Sequence, residues 1–156
     1  MPTRFIRPVY TAWGSLLFGI TLWFHSCNAQ EAMNPLEEYK WKNRPLLLFA
    51  PSETHPDFEK QLERLNASSK GVKERELIVI QVLSEEAKIG EKPLDEGTAV
   101  ALRERFSPQE DALTIVLIGK DGAEKLRQQD KLSVSRLFQT IDAMPMRQQE
   151  IREGRN

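Results

Sequence analysis

Two carboxylates, a hydroxyl and an imidazole stand within five residues, Glu53-Thr54-His55-Pro56-Asp57. An imidazole titrates near neutral pH, so His55 with an acid on either side is a candidate general base. The same three charged groups are a candidate metal cluster, but one histidine and two acids in so short a turn rarely converge on a point. A further neutral ligand is also missing, because the other histidine, His25, lies in the N-terminal apolar segment. The spacing has a structural use as well. Thr54 followed three residues later by Asp57 is a capping-box pattern, with Asp replacing Glu or Gln, and each end would satisfy a free backbone N–H at a helix start. Asp57 would also complement the positive end of the helix dipole. The expectation is a cap, with no metal and no cofactor. Sulfur chemistry is excluded more firmly: the chain has one cysteine, Cys27, and a thiol–disulfide cycle needs an attacking and a resolving thiol.

Cys27 sits in a segment that reads as an export signal. Arg4 and Arg7 precede a charge-free run from Val9 to Phe24, and His25-Ser26-Cys27-Asn28-Ala29 follows with small residues at the −3 and −1 positions for cleavage after Ala29. The apolar run is about 16 residues, short of the ~20 that a bilayer crossing takes, so no transmembrane span is expected in the mature chain. A cut before Cys27 is the alternative and would leave a lipid-bearing cysteine, as in bacterial lipoproteins, although of the three residues before it only Ser26 suits that motif. The expected location is secreted or periplasmic, with a lipid-anchored form as the alternative. The formal net charge is −1. Loss of residues 1–29 takes two of the 22 basic side chains and none of the 23 acids, so 20 oppose 23. That balance gives no nucleic-acid footprint, which takes a basic excess gathered on one face.

The remaining chain has the length of one domain. Residues 30–43 read as a lead-in, with Asn34-Pro35 opening a short helix and Leu36, Tyr39 and Trp41 available to dock. Leu46 to Phe49 is continuously apolar, as in a central strand covered on both faces. The helix after the turn carries Phe58, Leu62 and Leu65 on one stripe, and Gly71 is expected to close it in a left-handed cap. Leu77 to Ile80 is a second buried strand, parallel to the first. Ser84 to Gly97 reads as an exposed, mobile polar loop. A helix from Thr98 presents Ala99, Leu102 and Phe106, and Leu113 to Ile118 is a third strand. The turn Gly119-Lys120-Asp121-Gly122 is a hairpin signal, with a return strand over Ala123 to Arg127. A last helix, opened by Ser133, carries Val134, Leu137, Phe138 and Ile141 and closes before Pro145. The order β-α-β-α-β-β-α implies an α/β single domain over 44–145, with a four-stranded mixed sheet flanked by helices. Residues 146–156 are expected to be a polar tail that adds nothing to the core.

That order resembles the thioredoxin-like fold. Trp41-Lys42-Asn43-Arg44-Pro45 leading into Phe49-Ala50-Pro51, the segment Leu117-Ile118-Gly119-Lys120-Asp121-Gly122, and Ile141-Asp142-Ala143-Met144-Pro145-Met146-Arg147 together resemble the P-DUDES domain, a peroxiredoxin-like module of unknown function. That family occurs in bacterial exported proteins and in vertebrate extracellular-matrix proteins such as equarin and the sushi-repeat proteins. The resemblance spans roughly residues 34–150. It places the two superfamily redox positions on Thr54 and Asp57, where neither side chain supplies a thiol. The proline that thioredoxins hold in cis before their third strand is replaced by Ala112-Leu113-Thr114. The resemblance therefore implies the scaffold without its dithiol activity.

Three functions remain open. One is a non-catalytic binding or structural module for a protein or glycan partner, with Trp41, His55, Met144, Met146 and Arg147 as candidate pocket or interface residues. Met144 and Met146 flank Pro145 and serve equally as gap-fillers over the sheet, and Trp41 as a lid on the core. The second is a cysteine-independent enzyme built on Glu53, His55 and Asp57. The third is an envelope component anchored through Cys27.

Overall fold

The computed structural model describes residues 34–154; the expected signal segment and Cys27 lie outside them. Strand β1, Arg44–Phe49, is buried at all six positions, as its apolar run requires. Its side chains alternate between two clusters. Leu46 and Leu48 join Phe58, Leu65, Leu137 and Ile141 on one face of the sheet, and Leu47 and Phe49 join Tyr39, Leu102 and Phe106 on the other. Helix α1, Pro56–Ala67, delivers Phe58 and Leu65 to the first face, with Leu62 partly buried against the same cluster. Strand β2, Leu77–Val82, runs parallel to β1 with Leu46 opposite Val79.

The expected mixed sheet flanked by helices is present, but among the described residues it has six strands rather than four: with β3 (Ala87–Ile89), β4 (Lys92–Pro93), β5 (Thr114–Ile118) and β6 (Glu124–Gln129), the order is β4-β3-β2-β1-β5-β6. The two additions, β3 (Ala87–Ile89) and β4 (Lys92–Pro93), come from the stretch expected to be a mobile polar loop. Ala87 is buried, and Ile89 and Leu94 pack on the second cluster. Gly90 at φ +59° turns the chain between the strands. Three apolar residues dispersed among charges were enough to fold the segment back on β2.

Helix α3, Thr98–Phe106, buries Ala99, Leu102 and Phe106 as expected. Strand β5, Thr114–Ile118, is antiparallel to β1, and β6, Glu124–Gln129, returns along it. Between them Gly122 takes φ +81°, and the Asp121 carboxylate accepts from Ala123 N at 3.1 Å. Helix α4, Val134–Asp142, is capped by the Ser133 hydroxyl, which accepts from Arg136 N at 3.2 Å.

Gly71 departs from expectation. It lies inside a second helix, α2 (Ser69–Glu74), and is not among the residues with positive φ. Its lack of a side chain serves packing instead: a Cβ there would come within 2.5 Å of the Phe138 ring. Arg75 stacks on that ring, 4.1 Å from its centroid. Gly71→Ala is therefore expected to destabilise by about 1–2 kcal/mol despite the better helix former, because α4 and the stacked Arg75 must give way. Urea unfolding of the two proteins checks this.

The expected polar tail is also corrected. Residues Pro145–Arg152 form helix α5, and its Arg147 and Glu150 are buried at 4% and 5% exposure. Two charged residues out of eight carry that contact, a pattern that hydropathy does not register. Among the described residues no helix is long and apolar enough to cross a membrane.

Candidate functional site

The turn that carries Glu53, Thr54 and His55 joins the C-terminal end of β1 to α1. Pro56 at the first helical position fixes where α1 begins, so His55 and not Thr54 is the cap residue, and its side chain makes no capping bond. Asp57 then falls too early to reach back, and the expected capping box does not form. The Thr54 hydroxyl lies 3.2 Å from that of Ser52. Glu53 pairs with Lys88 of β3, and Asp57 pairs with Lys131 at 2.7 Å. The hydrogen bonds to Glu53 and Asp57 push the two lysine ammonium groups above their ordinary range.

The two acids are thus drawn to separate lysines instead of toward His55. The imidazole is half-buried, with Nδ1 shielded and lacking a hydrogen-bond partner. Among the described residues no three His, Cys, Asp or Glu side chains are placed to hold a metal ion. An acid–base cluster on Glu53, His55 and Asp57 has no geometric basis.

The other end of β1 carries a different arrangement. Arg44, 1% exposed, donates through Nη2 to Glu150 Oε1 at 2.9 Å and through Nη1 to the Arg75 carbonyl at 3.0 Å. Lys120, from the β5–β6 turn, reaches Glu150 Oε1 at 2.7 Å and also pairs with Glu76. Arg147 lies 3.4 Å from Glu150 Oε2, and Arg75 forms a two-pronged pair with Asp142 at 2.6 and 3.0 Å. Burial raises the Glu150 carboxyl, but hydrogen bonds from Arg44 and Lys120, together with their charges, outweigh it and hold it down at about 2.

A cleft of about 460 Å³ opens at this end. It is lined by Arg44, Lys120 and Lys125 together with the apolar run Ala143-Met144-Pro145-Met146. Met144 is partly buried against the first core cluster, whereas Met146 is 38% exposed. Trp41 is not a lid on the core: it is 62% exposed, at φ +64°. Its backbone N–H donates to the Lys120 carbonyl at 2.7 Å, which ties it to the turn that lines the cleft. The Trp41 ring therefore lies on the surface, on a backbone conformation unusual for its type.

The structure therefore gathers Trp41, Met144, Met146 and Arg147 at one end of the sheet and leaves Thr54, His55 and Asp57 at the other. Sequence reasoning missed Arg44, Lys120, Glu76 and Glu150. Arg44 at the head of an unbroken apolar strand was the available signal, because a charge at such a place is buried and demands a partner.

A family model described as Domain of unknown function (DUF4174) matches residues 35–150, a span that ends on Glu150. The rat (Rattus norvegicus) protein named Sushi repeat-containing protein SRPX2 is 25% identical over 128 residues. The alignment covers 80% of this chain and 28% of the rat protein, so this chain spans little more than a quarter of that relative's length. Among solved structures, the reduced 2-Cys peroxiredoxin of Plasmodium vivax matches with a TM-score of 0.55 at 16% identity, over 75% of this chain and 72% of that one. That likeness is one of fold.

Proposed function

From the premise that the chain belongs to the family described as Domain of unknown function (DUF4174), we propose that it is an exported, redox-inactive member of the peroxiredoxin-like scaffold that works as a binding module. In this reading it is a P-DUDES-type domain, released after cleavage near Ala29, that meets a protein or glycan partner through the Trp41 and cleft end. The observation that carries the reading is the occupancy of the turn between β1 and α1. Where the scaffold's chemistry calls for thiols, Thr54 bonds to Ser52 and Asp57 is engaged by Lys131. Neither group can attack or resolve a disulfide.

The shared fold does not by itself choose a function; the cleft with an exposed tryptophan beside it favours binding over a purely structural role. The mature protein, residues 30–156, is expected neither to reduce insulin disulfides nor to turn over peroxide. Spectrophotometric assays beside a thioredoxin control check both. Peroxide turnover above the buffer background, in a protein without a thiol, would overturn the reading and restore the enzyme hypothesis. Mass spectrometry of the N-terminus of the exported protein separates the soluble form, which begins near Gln30, from one that begins with an acylated Cys27.

A further inference from the structure

We propose that Met146 is a site of reversible oxidation by hydroperoxides, which switches one wall of the cleft from apolar to polar. The inference rests on the binding-module reading and names how the same cleft is regulated. It is thioether chemistry, apart from the thiol cycle that the chain lacks, and Met146 is modified by it and catalyses nothing. The first ground is where the chain keeps its sulfur. Among the described residues the only sulfur atoms are those of Met144 and Met146, and both residues line the cleft. The buried core is made of Leu, Ile, Val, Phe, Ala and Tyr and holds no methionine. Thioethers used as gap-fillers would stand among those residues; here they stand only at the cleft.

The second ground is the difference between the two. Met144 is the cap residue of α5, in an extended conformation at φ −70° and ψ 138°, and packs against the first core cluster. Pro145 follows at the first helical position, and Met146 is already helical. The change of backbone turns one side chain onto the sheet and the other outward, to 38% exposure. Oxygen transfer takes contact between oxidant and sulfur, so access selects Met146. Met146 belongs to neither core cluster, and the bonds from Arg44 and Lys120 to Glu150 that dock α5 do not involve it. Its oxidation therefore leaves the fold standing.

The step balances without a thiol. The Met146 sulfur attacks the distal oxygen of the hydroperoxide, an S–O bond forms and the O–O bond breaks. The proton of the distal oxygen passes to the leaving oxygen, which departs as an alcohol, or as water from hydrogen peroxide. Sulfur loses two electrons and the peroxide gains them. Reversal takes a dithiol as reductant and a methionine sulfoxide reductase, and yields the thioether, a disulfide and water. Between the two steps a flexible apolar side chain has become a polar one. The sulfoxide oxygen accepts hydrogen bonds, and Lys125 on the same lining is a donor group. The wall that Ala143, Met144, Pro145 and Met146 keep apolar is then interrupted at its exposed end.

Peptide mapping of the mature protein by mass spectrometry tests this, with hydrogen peroxide as the probe and the same chain in concentrated urea as the reference. In urea the two methionines are expected to oxidise at one rate. In the folded protein Met146 is expected to stay within about threefold of that rate and Met144 to fall about tenfold or more below it. Oxidation at Met146 is expected to shift the amide signals of Gly119, Lys120 and Lys125 without loss of dispersion, and the reductase with a dithiol to restore them. Met146→Leu is expected to abolish the shifts and Met144→Leu to retain them. Equal protection of the two methionines, faster oxidation of Met144 or unmoved signals at Gly119 and Lys120 would overturn the proposal. So would collapse of the spectrum on oxidation of Met146, shifts that survive Met146→Leu, or a sulfoxide that the reductase leaves in place. Without a reductant the three thioethers of the mature chain, Met33, Met144 and Met146, can consume only one equivalent of peroxide each. Sustained turnover in the redox assays is thus a separate failure, that of the binding-module reading.

Discussion

Phe58→Ala is expected to lower the unfolding free energy by about 3–4 kcal/mol, while His55→Ala, three residues earlier, changes it by less than about 0.5 kcal/mol. Phe58 is 2% exposed in the cluster that joins α1 to Leu46 and Leu48 of β1 and to Leu137 and Ile141 of α4. Removing the ring takes away its transfer free energy and leaves a cavity walled by three elements that cannot all close over it. His55 precedes the same helix, but its side chain caps nothing and its shielded Nδ1 has no partner. Truncation there breaks no bond and releases a desolvated nitrogen. Urea unfolding of both variants at one pH gives the comparison. Equal losses would mean that α1 packs on the sheet by another face.

The elements read most directly from the sequence were those whose burial is apolar and periodic. Leu46 to Phe49, Phe58 with Leu65, Leu102 with Phe106, and Leu137 with Ile141 each state their element and their covered face through residue spacing alone. Ser133 and the Asp121-Gly122 turn were equally legible, because a cap and a tight turn depend on local backbone chemistry. The errors fall where a local rule met a distant constraint. Thr54 and Asp57 satisfy the capping-box spacing, but Pro56 between them moves the helix start and Lys131 claims the acid. Gly71 looked like a terminator because the sequence does not show Phe138 lying against it. Ala87 and Ile89 are too sparse to make a strand pattern, and their segment becomes a strand through pairing with β2, while Leu94 packs on the second cluster beyond it.

The site was legible in halves. The expected absence of sulfur chemistry rests on residue types at two positions and uses no coordinates. The cleft could not be found this way, because its polar side is an ion-paired cluster contributed by β1, the segment before β2, the β5–β6 turn and α5. The Arg44–Glu150 bond joins residues 106 apart in sequence, and each member taken alone reads as an ordinary solvated charge. Trp41, Met144 and Met146 were marked from their types, yet only the fold brings them to one end. The molecule therefore presents a turn without a thiol at one end of β1 and, at the other, a charged cleft whose burial is costly. Buried ion pairs contribute little net stability against an apolar replacement, whereas removing one partner alone leaves the other charge buried and costs ~3–5 kcal/mol.

Replacing Glu150 by glutamine is expected to cost about 3 kcal/mol at neutral pH and to flatten the acid limb of the stability profile. The carboxyl is 5% exposed and stands between Arg44 at 2.9 Å and Lys120 at 2.7 Å. Burial alone would raise it, but the two cations hold it at about 2, below the ordinary 4.5. Because the folded value is depressed, the contribution is complete above the unfolded value of 4.5 and is lost as pH falls toward 2. A gap of that size corresponds to about 3 kcal/mol. Asp121 and Asp130 are also depressed, by hydrogen bonds to Lys125 and to the Lys131 backbone respectively, and so add acid sensitivity of the same sign. Both are present in wild type and variant alike, so their effect cancels in the difference. Urea midpoints measured from pH 7 down to pH 2 should therefore show two curves well separated at neutral pH that converge as Glu150 takes up its proton. Parallel curves would mean that the carboxylate is solvated, α5 is a loose tail after all, and the cleft has lost one of its walls.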